Sequence, residues 1–236
     1  MMILKTNFIK NHIALSTLLI LLMITPLFAV AETKEDGRFW ININMMGHMP
    51  AENWRWYAEV QPRWREEGSN FDQLLIRPAV LYDLNKQTSV WLGYANVITD
   101  PANRSSFEEH RVWQQLLHNF QPIGGLTIQS RTRLEQRFIE NSNKTGHKIR
   151  QMIRLTAPSG ISPKLLWVAY DEYFLNLNDT DYGAERGFDQ NRAFVGVNWT
   201  LDQQLKLEVG YLNQYINGSQ TDLMTHVISS TMAITF

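Results

Sequence analysis

Cysteine is absent from the 236 residues, which excludes a disulfide framework and any thiolate-held metal. Charge is scarce: 19% of residues are Asp, Glu, Lys or Arg, below the roughly 25% of an ordinary soluble domain. A basic surplus is missing as well. The formal net charge is −1, so the chain lacks the electrostatic footprint of a nucleic-acid binder. Beyond the first 31 residues no apolar run reaches the ~20 needed for a membrane-crossing helix. No sustained helical period and no low-complexity linker occurs there, which argues against a helical fold and against a second domain.

Aromatic residues, by contrast, are plentiful, with 8 Trp, 8 Tyr and 11 Phe. The N-terminal segment has its own pattern. Lys5 and Lys10 precede an apolar stretch from Ile13 to Ile24, Pro26 breaks it, and Ala29-Val30-Ala31 supplies small residues for cleavage. Residues 1–31 therefore read as a secretory signal peptide, and 32–236 as one domain. Loss of Lys5 and Lys10 with the signal takes the net charge from −1 to about −3.

The mature chain alternates apolar and polar residues almost throughout, as strands do. Candidate strands are 38–47, 53–65, 71–83, 88–98, 108–120, 125–139, 148–158, 163–175, 188–200, 204–216 and 224–236. They are longer than the ~5–6 residues of soluble strands and match the ~9–11 residues of a tilted strand crossing a bilayer. Their two faces differ in kind. In 53–65 one face is Trp54, Trp56, Ala58, Val60, Pro62 and Trp64, and the other is Arg55, Tyr57, Glu59, Gln61, Arg63 and Arg65. In 125–139, Leu126, Ile128, Leu134 and Phe138 oppose Arg131, Arg133, Glu135 and Arg137. Connections alternate between short turns (83–86, 121–124, 158–162, 201–203) and mostly longer polar loops (99–107, 140–147, 176–187, 217–223), the asymmetry of outer-membrane barrels.

Aromatics fall at strand ends on the apolar face. Trp54, Tyr82 and Trp199 lie toward the short turns, and Trp64, Phe138 and Tyr215 toward the long loops, as in the two girdles of a membrane barrel. The chain closes on Met232-Ala233-Ile234-Thr235-Phe236, which looks like the C-terminal signal recognised by barrel-assembly machinery. The predicted fold is an all-β transmembrane antiparallel up-and-down β-barrel with a polar Arg/Glu-lined interior. Even strand numbers prevail in such barrels. Segment 38–47 would also have to begin outside the cell, so ten strands are expected, with twelve as the alternative.

Several segments carry a resemblance. Val90-Trp91-Leu92-Gly93-Tyr94, Glu109-His110-Arg111-Val112-Trp113-Gln114-Gln115, Arg133-Leu134-Glu135-Gln136-Arg137-Phe138, Tyr170-Asp171-Glu172 and Gly187-Phe188-Asp189-Gln190-Asn191-Arg192 resemble domain-of-unknown-function family 2490 over roughly 38–236. The resemblance implies a Gram-negative outer-membrane β-barrel. It implies no activity and transfers no catalytic or binding residue.

The candidate functional set is the inward-facing charge: Glu59, Arg63, Arg77, Glu109, Arg111, Arg131, Arg133, Glu135, Arg137, Arg150, Arg154, Arg192, Lys206 and Glu208. Charge on the lipid-facing side costs ~2–4 kcal/mol for Arg or Lys at the midplane, so these residues are expected in the lumen. There they brace the wall through ion pairs, or favour anions in a narrow channel. The expected role is therefore structural or narrow transport. The alternative is a membrane-embedded lipid-modifying enzyme, an acyl hydrolase or transferase. It would need a nucleophile beside a His base, for which His110, near Ser105 and Ser106, and His226, near Ser229 and Ser230, are the candidates. Asp171, Glu172 and Asp189, with Asn178, Asp179 and Asp181, suggest an acidic outer rim able to take calcium. No resident metal or cofactor is expected, because the histidine spacing fits no zinc site. Expected partners are outer-membrane lipid, including lipopolysaccharide, and the barrel-assembly machinery, but not nucleic acid.

Overall fold

The computed structural model describes residues 33–102, 105–219 and 221–236. The predicted signal peptide, 1–31, lies outside the described residues. The described chain forms one closed barrel of eleven strands. These are β1 (Thr33–His48), β2 (Trp54–Arg65), β3 (Asn70–Asp83), β4 (Thr88–Thr99), β5 (Phe107–Asn119) and β6 (Thr127–Ile139), followed by β7 (Gly146–Pro158), β8 (Leu165–Asn176), β9 (Gly187–Thr200), β10 (Leu205–Ile216) and β11 (Asp222–Thr235). Neighbours in sequence pair antiparallel from β1 through β11, as the alternation predicts.

The strand count differs from ten. Segment 38–47 is the core of a full wall strand, β1, which closes the barrel by pairing parallel with β11 from Thr33↔Asp222 to Met46↔Thr235. The reason lies in its two faces. Trp40 turns inward into a cluster with Val168, Phe194, Leu212 and Val227, and Arg38 donates to Asp36 and Asp72, both at 2.8 Å. Phe39, Ile41, Ile43 and Met45 form the alternate set. A strand with both faces provided for fits between β2 and β11, and a parallel ladder is only slightly less stable per residue than an antiparallel one. In consequence β1 starts at the end of the barrel where the 140–145 and 177–186 connections lie, and finishes beside Phe236, whose amide donates to the Met46 carbonyl at 2.9 Å.

Side-chain period 2 sets the wall's two surfaces. Outside lie Leu92, Leu116, Val195, Trp199 and Ile228, all exposed. Aromatic pairs mark both ends of this surface: Trp54–Tyr82 at 5.2 Å and Trp56–Phe236 at 5.8 Å near the short turns, Phe39–Trp64 at 6.1 Å and Phe188–Tyr215 at 6.0 Å near the other end. Polar residues on the outer face of β5 to β9 bond within the wall. Gln114 and Gln136 exchange hydrogen bonds at 3.0 and 3.2 Å, Thr132 donates to Gln151 at 2.5 Å, Gln151 donates to Ser130 at 3.0 Å, and Asn191 donates to Asp171 at 2.9 Å.

Inside, a second apolar cluster joins Leu75, Ala79, Ala95, Val97 and Trp113. Gly93 makes room for it, because a Cβ there would stand 2.1 Å from Cζ2 of Trp113. The ring has little freedom to yield, since the Arg133 guanidinium lies 4.0 Å over its centroid. Gly93→Ala should therefore cost ~1–3 kcal/mol of overpacking strain, read as a lower urea midpoint for unfolding. An unchanged midpoint would mean that Trp113 is not held in place.

Candidate functional site: the charged lumen

Strand alternation brings the inward charges to one interior, and four groups of bonds join them. Around β2 and β3, Glu59 accepts from the Tyr57 hydroxyl at 2.8 Å and pairs with Arg77, which also donates to Gln61 at 2.7 Å. Around β5 and β6, Arg111 forks onto both oxygens of Glu109, at 2.8 and 2.7 Å, and Arg137 binds the same carboxylate. Around β6 to β8, Arg150 bridges Glu135 at 2.7 Å and Glu172 at 2.8 Å, while Arg131 reaches Glu172 at 2.7 Å. Arg133 donates twice to Gln115, at 3.0 and 2.7 Å. Toward the short-turn end, Arg154 grips Glu208, which also accepts from Asn198 at 3.0 Å. Forked guanidinium–carboxylate bonds are directional and strong. They tie distant strands across the lumen and so oppose changes of barrel shape.

The structure thus places Glu59, Arg77, Glu109, Arg111, Arg131, Arg133, Glu135, Arg137, Arg150, Arg154 and Glu208 in bonded groups. Two predicted members make no ion pair within 4 Å among the described residues, although Arg192 stands opposite Glu172 in the β8–β9 ladder. Arg63 donates to Gln61 at 2.8 Å and Gln73 at 3.0 Å, and Arg192 donates to Gln190 at 3.5 Å and lies over the Trp40 and Phe174 rings. Lys206 does not join the interior. It is exposed at the short-turn end, being the second residue of β10. Sequence reasoning missed Lys148, whose Nζ meets Asp189 at 2.6 Å, and Trp40 and Trp113, which fill the lumen. Lys148 was legible, being in phase with Arg150 and Arg154. Phase with Arg38 and with Arg111 was the one signal for the two tryptophans, and their apolarity pointed the other way.

The expected acidic rim is not one cluster. Asp171 and Glu172 are adjacent in an extended strand and therefore point to opposite faces. Glu172 is buried among arginines and Asp171 bonds Asn191 outside. Asp189 is held by Lys148. Asp181, in the 177–186 connection, accepts from the Ser142 hydroxyl at 2.5 Å and the Asn143 amide at 2.8 Å, clasping the 140–145 connection. Those bonds, the Ser142 hydroxyl first, hold its carboxyl below the ordinary aspartate value of 3.8. A depressed pKa means the clasp is complete above that value and is lost as pH falls through the lower folded one. Amide exchange at Asn143, corrected for intrinsic rate, should quicken below about pH 4, and Asp181→Ala should show the fast rate already at pH 6. A pH-independent corrected rate would remove the clasp.

Both candidate histidines lie on the outer face beside tyrosines. His110 Nδ1 is 2.5 Å from the Tyr94 hydroxyl, and His226 Nδ1 is 2.6 Å from the Tyr211 hydroxyl. Ser106 instead donates to Asp100 at 3.0 Å. Among the described residues no serine hydroxyl is hydrogen-bonded to either ring, so the geometry does not join a nucleophile to a base.

A cavity of about 240 Å³ remains in the lumen. Eight basic side chains line it (Arg38, Arg63, Arg77, Arg111, Arg137, Lys148, Arg150 and Arg192) against two carboxylates, Glu135 and Asp189. Ile216, the last residue of β10, also lines it, so it reaches the end of the barrel where the 177–186 connection lies.

Fold and interior together define a closed β-barrel with an apolar outer wall and a basic, ion-paired lumen. More particularly, the chain belongs to the family described as protein of unknown function DUF2490, whose model matches residues 37–225. An uncharacterised protein of Methylorubrum extorquens is 31% identical over 232 residues, covering 96% of this chain and 99% of that one. A solved structure described as "Unveiling the Mechanism Behind the in-meso Crystallization of Membrane Proteins" is 12% identical. It covers 78% of this chain and 79% of its own, with a TM-score of 0.38, too distant a likeness to carry an argument.

Proposed function

We propose that this chain is an outer-membrane β-barrel protein of a Gram-negative bacterium, exported by a signal peptide over residues 1–31, with a braced, narrow lumen that favours small anions. One observation carries the reading: the sides are inverted. Leu92, Val195 and Ile228 are 54%, 55% and 52% exposed, whereas Glu109, Glu135 and Glu172 are 2%, 3% and 3% exposed. A soluble protein can tolerate exposed apolar side chains singly. An apolar wall around a charged interior, ringed by aromatics at both ends, is the arrangement that lipid demands.

The role follows from the packing. Barrels of eight strands are already filled by side chains. Here Trp40, Trp113 and the arginine network fill much of the interior, which favours a structural barrel or narrow conduit over a general pore. Its partners would be lipid, including lipopolysaccharide, and the assembly machinery that inserts it. Two measurements test the proposal. Membrane fractionation with a heat-modifiability gel should place a folded species in the outer membrane, and recovery as a soluble periplasmic protein would sink the membrane reading. Planar-bilayer recording should show at most small, anion-favouring conductance, and a large unselective conductance would refute the narrow lumen.

A further inference from the structure

Most lumen arginines have a carboxylate partner; Arg63 and Arg192 have none within ion-pair reach among the described residues. Both lie against the same ring. The Arg63 guanidinium is 3.9 Å and that of Arg192 5.1 Å from the Trp40 centroid, and Arg192 also lies 4.7 Å from the Phe174 centroid. All four residues line the cavity. Arg63 is 7% exposed, and its Nε, the Nε of Arg192 and the Trp40 Nε1 are buried donors with no acceptor among the described residues.

Uncompensated charge in a low-dielectric interior is expensive unless it is paired. Cation–π contact returns only ~0.5–2 kcal/mol, and the glutamines at Arg63 offer neutral oxygens. A site with two cations outside any ion pair and several unsatisfied donors suits an acceptor-rich ligand of charge near −2. Guanidinium forks match phosphate oxygens two at a time. The cavity, about 240 Å³, has the volume of on the order of eight waters, which restricts the ligand to a small solute.

Resting on the basic-lumen reading above, we infer that Arg63, Arg192 and Trp40 form a binding site for a small phosphate dianion, either inorganic phosphate or a compact phosphomonoester. The Arg38, Arg77 and Lys148 charges around it raise the local concentration of such an anion without binding it directly, since each already holds a carboxylate.

Titration calorimetry on the folded protein in detergent tests this, with inorganic phosphate, glycerol 3-phosphate and a short-chain phosphatidic acid as probes and chloride as control. Saturable one-site binding of the two soluble probes is expected, weakened at least tenfold in Arg63→Gln/Arg192→Gln and unchanged in Lys206→Gln. No binding by the unaltered protein overturns the inference, as does equal binding by the double variant. Binding of the phosphatidic acid alone overturns it too, because it would put the phosphate site at the lipid surface. Arg192→Gln alone, which loses one 3.5 Å hydrogen bond and two ring contacts but no ion pair, decides the matter should the double variant fail to fold. Fractionation and conductance remain as they were if only this site is wrong, so the two failures are distinguishable.

Discussion

Glu135→Ala is expected to be among the most destabilising single substitutions in this barrel. The carboxylate is 3% exposed and accepts from Arg150 at 2.7 Å, with Arg111 and Arg133 each at 3.8 Å. Its removal leaves those cations facing one another with one fewer counter-charge. Breaking one side of a buried ion pair costs ~3–5 kcal/mol, chiefly because the remaining charge is stranded. For a chain of this size that corresponds to a fall in Tm of about 6–20 °C. Glu135→Gln, which keeps an acceptor oxygen, should lose less. A paired replacement, Glu135→Leu with Arg150→Met, should recover part of the loss, because it removes both charges while Glu172 gives up Arg150 but keeps Arg131. Unfolding in detergent followed by tryptophan fluorescence measures all three. A loss under about 1 kcal/mol in the alanine variant, the range of an exposed pair, would show that Glu135 does not brace the wall.

The second large effect is expected at Trp40. Its side chain is 2% exposed and packs with Val168, Phe194, Leu212 and Val227 under two guanidiniums. Trp40→Ala opens a cavity worth ~3–5 kcal/mol and deprives Arg63 and Arg192 of the ring they share. It should therefore lower stability and widen the lumen together. Planar-bilayer recording should show larger conductance steps than the unaltered protein gives. Trp40→Phe, which keeps an aromatic face, should stay near the unaltered level on both measures. Stability loss with no change in conductance would mean that the constriction lies elsewhere, with Trp113 the next residue to test.

The difference between those two residues says how much of the site was legible. Glu135 sits in a row with Arg131, Arg133 and Arg137, and period-2 spacing alone assigns all four to one face. Trp40 lies on an alternation where Arg38 and Trp40 share a face with Asn42 and Asn44, so apolarity and inwardness part company. Partners were harder still. Arg131 finds Glu172, 41 residues on, and Arg154 finds Glu208, 54 residues on. Neither pair is adjacent in any strand ladder. Each meets across the lumen, where the closing of the wall sets the distances. Arg63 and Arg192 look like every other lumen arginine in the chain; only the positions of the carboxylates show them to be unpaired.

The strand count divides the same way. Alternation locates β1, whereas even strand numbers and a start outside the cell argue against counting it. The wall admits it because its inward Trp40 and Arg38 have partners, and because the parallel seam with β11 satisfies its ladder.

By itself, the sequence determined the class of architecture: long strands in series, one apolar face, one charged face, and aromatics at the strand ends, since period and polarity are local properties of the chain. Only the tertiary structure decided how many strands close the barrel, which charges cancel, and where the uncancelled ones gather. Those are matters of closure and of distance across the lumen, which no stretch of sequence contains.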